Sequence, residues 1–118
     1  MYKVFLLFCS VLLFLGCTNL DDKHVFRFEI NGSAESVDNM MVKMGPGINF
    51  DSNGEVYLPV SIKHDIYGED LIYFFEIQNL DQTEDINLKV FIDDQLIEEN
   101  DTFDLTGSVP TITISGIY

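Results

Sequence analysis

Ile86-Asn87-Leu88-Lys89-Val90-Phe91-Ile92-Asp93-Asp94-Gln95-Leu96 is the stretch that decides the fold of this chain. Ile86, Leu88, Val90 and Ile92 alternate with Asn87 and Lys89. A strict period of two sends one set of side chains to a buried face and the other to an exposed one, which is the signature of a half-buried strand. Asp93-Asp94 then stops the run. Aspartate tolerates the left-handed backbone of a two-residue hairpin turn, so the pair predicts a tight reversal between Ile92 and Leu96.

The same period extends in both directions. Phe26, Phe28 and Ile30 alternate with Arg27 and Glu29, and Met40, Val42 and Met44 with Asn39 and Lys43. Val56, Leu58, Val60 and Ile62 stand against Pro59, Ser61 and Lys63, and Leu71, Tyr73, Phe75 and Ile77 against Glu76 and Gln78. A last run sets Ile112, Ile114 and Tyr118 against Thr111, Thr113 and Ile117. No segment keeps a 3.6-residue period. Asn31-Gly32, Gly45-Pro46-Gly47, Asp51-Ser52-Asn53-Gly54, Tyr67-Gly68 and Thr106-Gly107 punctuate the runs as turns. The pattern predicts an all-β chain, an immunoglobulin-like antiparallel β-sandwich of about seven strands over residues 24–118. Pro59 cannot donate to a ladder, so its strand is expected at an edge or bulge.

The N-terminus has a different character. Lys3 precedes an apolar run from Val4 to Leu15 that ends at Gly16-Cys17. A cation, a short apolar core and a small residue before the cut define a secretory signal. Spanning a bilayer takes about 20 apolar residues, and this run is far shorter, which argues against a retained anchor. A cysteine at the cleavage point resembles the lipobox of bacterial lipoproteins. The resemblance implies a signal peptide over residues 1–16, acylation of Cys17 (palmitate-type chains), and a short tether through residue 23. An uncleaved anchor and plain secretion are the alternatives. Asp21-Asp22 resembles the acidic export signal of Bacteroidetes surface lipoproteins; the plainer reading is a solvated linker. The expected location is the cell envelope, lipid-anchored at the outer membrane, with the domain facing either the periplasm or the cell surface.

Cleavage would remove Cys9 with the signal, leaving Cys17 as the lipid carrier and the domain without a disulfide. The formal net charge is −14, and losing Lys3 makes it −15. Such a surface excludes nucleic acid as a partner, because phosphate binding needs a cationic footprint. It gives solubility by self-repulsion, or it meets a cationic partner.

No constellation assembles an active site. His24 and His64 stand apart at strand ends without a nucleophile patterned beside them, and His64 continues an inward face near its exit. Asp51 to Glu55 and Glu98 to Asp104 are rich in oxygen ligands but lack the spacing of a dedicated calcium loop. No metal, cofactor or catalytic residue is assigned, and the chain reads as non-enzymatic. Tyr57, Ile72, Phe74 and Phe91 fall opposite the main alternation. Gathered on one sheet they would form an exposed apolar patch and a binding surface; otherwise a loop or strand covers them.

Three short pieces carry a family resemblance: Gly32-Ser33-Ala34 after the Phe26 strand, Leu58-Pro59, and Gln78-Asn79-Leu80 at a strand end. Together with the order of strands they resemble the MmpS-like domain, a small immunoglobulin-like sandwich on membrane-anchored bacterial proteins. Its mycobacterial members are accessory subunits of lipid and siderophore exporters, held by a transmembrane helix where this chain has a lipobox. The resemblance implies an envelope protein that supports a transporter, and offers no catalytic residues. The expected function is thus a membrane-anchored, non-catalytic domain that binds a partner or ligand. A surface-exposed carbohydrate- or small-ligand-binding lipoprotein is the alternative.

Overall fold

The computed structural model describes residues 22–118. The expected signal peptide, Cys17 and the expected tether up to residue 21 lie outside the described residues. Among the described residues all regular structure is β. The strands are β1 (Lys23–Gly32), β2 (Ser36–Val37), β3 (Asn39–Met44), β4 (Ile48–Asp51), β5 (Val56–Tyr57), β6 (Val60–Tyr67), β7 (Ile72–Gln78), β8 (Ile86–Ile92), β9 (Gln95–Asn100) and β10 (Thr111–Ile117). They form two four-stranded antiparallel sheets, ordered β6-β1-β8-β9 and β10-β7-β3-β4, with β2 and β5 as a small third sheet. The antiparallel sandwich expected from the alternation is present. Its strand count exceeds the expected number because two strands span only two residues each and because β4 and β9 carry no clean alternation.

The core is the sum of the inward faces. Phe26, Phe28 and Ile30 of β1 and Leu88, Val90 and Ile92 of β8 are fully buried, as are Val42 of β3, Phe75 and Ile77 of β7, and Ile112 of β10. The two sheets meet through aromatic contacts: Phe28 lies edge-on to Phe75 at 5.0 Å, and Phe26 to Tyr73 at 6.3 Å. Edge-to-face pairs satisfy the ring quadrupoles as well as burying area. Tyr73 points inward, and Gly116 on the neighbouring strand leaves room for its hydroxyl, which would meet any Cβ there at 2.3 Å. That hydroxyl donates to Glu98 at 3.4 Å. Burial, then the Glu98 charge, pushes the phenol pKa up.

Pro59 does more than mark an edge. The expected strand from Val56 to Ile62 is broken at Leu58-Pro59, which is a cis bond, into β5 of the small sheet and β6 of the first large sheet. With no N–H on Pro59 the ladder stops, and the chain changes sheets there. β6 then forms the edge of its sheet. In β9 the register shifts opposite Val90 and Phe91, so Leu96 pairs with Phe91 while Glu98 pairs with Val90. This bulge explains why no period is visible in Gln95-Leu-Ile-Glu-Glu-Asn100.

The two ends of the sandwich are built differently. The lower end, where β1 begins, has the hairpin turns β3–β4 and β8–β9, the β6–β7 crossing and the C-terminus. Asp93 and Asp94 both have positive φ, 52° and 63°, as the two-residue hairpin requires. The upper end, where β1 finishes, carries the other passages between the sheets: β1 to β3, β4 to β6, β7 to β8 and β9 to β10. Packed sheets lie about 10 Å apart, so these passages need chain length that hairpins do not.

Candidate functional site

The upper passages collect charge. Glu35, Asp38, Glu55, Asp81, Glu84, Asp85, Asp101 and Asp104 all lie in them, and none of them contains a lysine or arginine. The basic residues Lys23, Arg27, Lys63 and Lys89 instead sit on β1, β6 and β8 at outward positions, and Lys43 on β3. One end of the domain is therefore strongly acidic, and its two outer sheet faces carry the cations.

Loop hydrogen bonds hold this end in place. Ser33 Oγ donates to Glu84 at 2.8 Å and accepts from the Asp85 amide at 3.0 Å, and the Ser33 amide donates to the Asp85 carbonyl at 3.0 Å. One serine thus ties the β1–β2 turn to the β7–β8 loop. Gly32 makes the approach feasible: at φ +146° a Cβ would lie 2.0 Å from the Asp85 carbonyl oxygen. Asp38 accepts from the Leu80 amide at 2.8 Å. Asn79, the buried polar residue among the described residues, donates its amide side chain to the Asp81 carbonyl at 2.7 Å.

Two aspartates fold their own loops. Asp81 Oδ1 accepts from the hydroxyl of Thr83 at 2.6 Å and from its amide at 2.9 Å, and Asp104 does the same with Thr106 at 2.7 and 2.9 Å. Donors aimed at the ionised form lower both carboxyl pKa values: the Thr83 hydroxyl leads for Asp81 and the Thr106 amide for Asp104. These carboxylates stay charged at any physiological pH.

Two open grooves lie between the loops. One, of about 460 Å³, is lined by Ser33, Ala34, Glu35, Ser36, Asp38, Asn79, Asp81 and Glu84. The other, of about 360 Å³, has Gln82, Glu84, Asp85, Asn87, Asp101 and Phe103 among its walls. Glu84 belongs to both. The motif pieces Gly32-Ser33-Ala34, Leu58-Pro59 and Gln78-Asn79-Leu80 all stand at this end, where Leu58 donates its amide to the Glu35 carbonyl at 2.8 Å.

The other candidates separate. His24 and His64 both stay on the first sheet but at different places. His24 Nδ1 donates to Asp93 at 2.7 Å at the lower rim, beside the edge-on ring of Tyr118 at 5.1 Å. That bond, with the Val25 amide, lowers the Asp93 carboxyl pKa. His64 has the inward parity of β6 but is exposed, because β6 is the edge strand. Asp51 accepts from the Asn53 amide at 2.9 Å, and Ser52 Oγ bonds Asn39 and the Gly54 carbonyl; this is a turn fastened by its own side chains. Among the described residues no three His, Cys, Asp or Glu come together in an arrangement that could hold a metal ion.

Tyr57, Ile72, Phe74 and Phe91 do not form one patch. Ile72 and Phe74 share the outer face of the second sheet, Phe91 lies on the outer face of the first, and Tyr57 is on β5. The Arg27 guanidinium stacks over Phe91 at 4.1 Å and donates to Asp94 at 2.8 Å, while the Lys43 ammonium stands 5.7 Å from the Phe74 ring. Alternation showed that these side chains point outward; which sheet each occupies depended on the crossings. Comparison with protein-family models finds no match to this chain, and comparison with curated proteins finds none either.

Proposed function

We propose that this chain is a lipid-anchored envelope protein whose sandwich binds a partner or ligand at its acidic upper end without catalysing a reaction. The observation that carries the reading is the separation of the two ends. The chain that follows Cys17 enters at the bottom of β1, so a lipid on that cysteine leaves the upper loops facing away from the membrane. Those loops hold the grooves and the unbalanced carboxylates. A cationic surface on another envelope protein is the chemistry they fit, and complementary charge of this kind governs encounter and choice of partner. The MmpS-like resemblance supports an exporter subunit as that partner.

The test is co-purification from detergent-solubilised membranes. A partner should be recovered with the parent chain, be lost when Asp81, Glu84 and Asp101 are neutralised together, and be kept when Glu69 and Asp70 at the lower end are neutralised. Recovery insensitive to the upper substitutions contradicts the reading. Phe103 beside Gln82 and Asn87 in the smaller groove favours a second reading, since an aromatic ring with amides and carboxylates suits a sugar. A glycan-array signal abolished by Phe103→Ala would replace the first reading with that one.

A further inference from the structure

The lower end carries a feature that neither the hairpins nor the core explain. Ile72 of β7 and Ile117 of β10 are direct cross-strand partners on the outer face, 60% and 69% exposed. Tyr118 follows, held by reciprocal backbone bonds to Leu71 at 2.9 and 3.0 Å, and Tyr67 stands opposite Lys23 at the start of β1. Both tyrosines are exposed. Exposed isoleucines thus stand on the outer side of one sheet, with Tyr67 and Lys23 on the outer side of the other at the same end. They match the layered polarity of a lipid headgroup region, where amphipathic rings and long cationic side chains are favoured.

We infer that this rim, Tyr67, Ile72, Ile117 and Tyr118, rests on the surface of the bilayer that holds the Cys17 lipid. The inference builds on the lipid anchor proposed above and adds an orientation to it. The length of the chain outside the structure names the occupant. Cys17 is six positions before Lys23, and an extended chain covers at most about 3.3–3.6 Å per residue, so Lys23 at the start of β1 is confined to within roughly 20 Å of Cys17. That keeps this end, rather than the upper one, near the acyl chains. Charge points the same way. At this end Asp93 is bonded to His24, Asp94 to Arg27 and Asp65 to Lys23, leaving Asp22, Glu69 and Asp70, whereas the upper passages hold eight carboxylates with no lysine or arginine among them. The upper end also exposes apolar side chains, Leu80 and Leu105, but each adjoins a carboxylate that a membrane would have to desolvate, Asp81 and Asp104. The remaining acids predict seating on a zwitterionic surface in preference to an anionic one.

The experiment uses the whole chain, processed in cells, purified in detergent and reconstituted in phosphatidylcholine vesicles. Ile117→Cys and Leu105→Cys are each labelled with an environment-sensitive fluorophore; both positions are exposed, so neither change disturbs the core. Iodide should quench the label at 117 several-fold less than the label at 105, and the protection at 117 should vanish in the urea-unfolded chain. Equal quenching at both positions overturns the seating while leaving the anchor intact. Protection at 117 that follows protein density rather than lipid means a second copy covers the rim, and it too overturns the seating. Labelling of the parent chain at Cys17 shows a free thiol, which overturns the anchor and the seating with it.

Discussion

The two ends of this sandwich solve the same problem, reversing an antiparallel chain, with opposite materials. At the lower end Asp93-Asp94 turns β8 into β9 in two residues, and the side chains of the turn reach back to His24, Val25 and Arg27. At the upper end the chain must travel between sheets, and it does so in longer segments braced by Ser33, Asp38, Asp81 and Asp104. The short end is tied to strands; the long end is tied mainly to itself. Segments of the second kind open at lower cost and supply binding surfaces more often.

The largest expected effect that separates the ends is Gly32→Ala. The new methyl group would collide with the Asp85 carbonyl at a φ that L-residues avoid, a destabilisation on the order of 3 kcal/mol. Urea denaturation should register it, with hydrogen exchange accelerated first across residues 79–85. Ser33→Ala removes the same bridge without a clash and leaves the Asp85 amide without its partner, costing about 1 kcal/mol. Faster exchange confined to the β1–β2 turn and the β7–β8 loop would sharpen the contrast; uniform acceleration would break it.

At the lower end Asp93→Asn keeps a residue that accepts positive φ and removes the carboxylate facing His24. An exposed pair of this type contributes at most about 1 kcal/mol, so the midpoint should move little. The smallest effect concerns pH. Asp81, Asp93 and Asp104 have carboxyl pKa values lowered on folding, so their stabilisation is complete above the ordinary carboxylate range of about 4 and is lost as pH falls through the lowered values. The Thr83 and Thr106 amides should lose protection in acid below that range while Phe28 and Val90 in the central strands keep theirs. Simultaneous loss everywhere would mean that the upper loops do not open on their own.

These differences were only partly legible in the sequence. Alternation located β1, β3, β7, β8 and β10, because each buries one face. Asp93-Asp94 announced its hairpin because turn chemistry is local. β9 was hidden by its bulge and β4 by its brevity, and the break at Pro59 was visible as a missing donor but not as a change of sheet. The acidic end was written in the sequence as carboxylates between strands. Assigning them to one end required knowing which passages cross between sheets, a long-range property. The Ser33–Glu84 bridge and the Ile72–Ile117 pair depend on registers that no local pattern specifies.

The proposed lipid at Cys17 would fix which end of the sandwich faces the membrane. Cys17→Ser in the full chain, followed by membrane fractionation and intact mass, tests it most directly. The account predicts that the parent chain loses residues 1–16, gains acyl mass and stays with membranes, and that the variant gains none and is released as soluble domain. Unchanged membrane retention of the variant would contradict it and make the apolar run from Val4 to Leu15 the anchor.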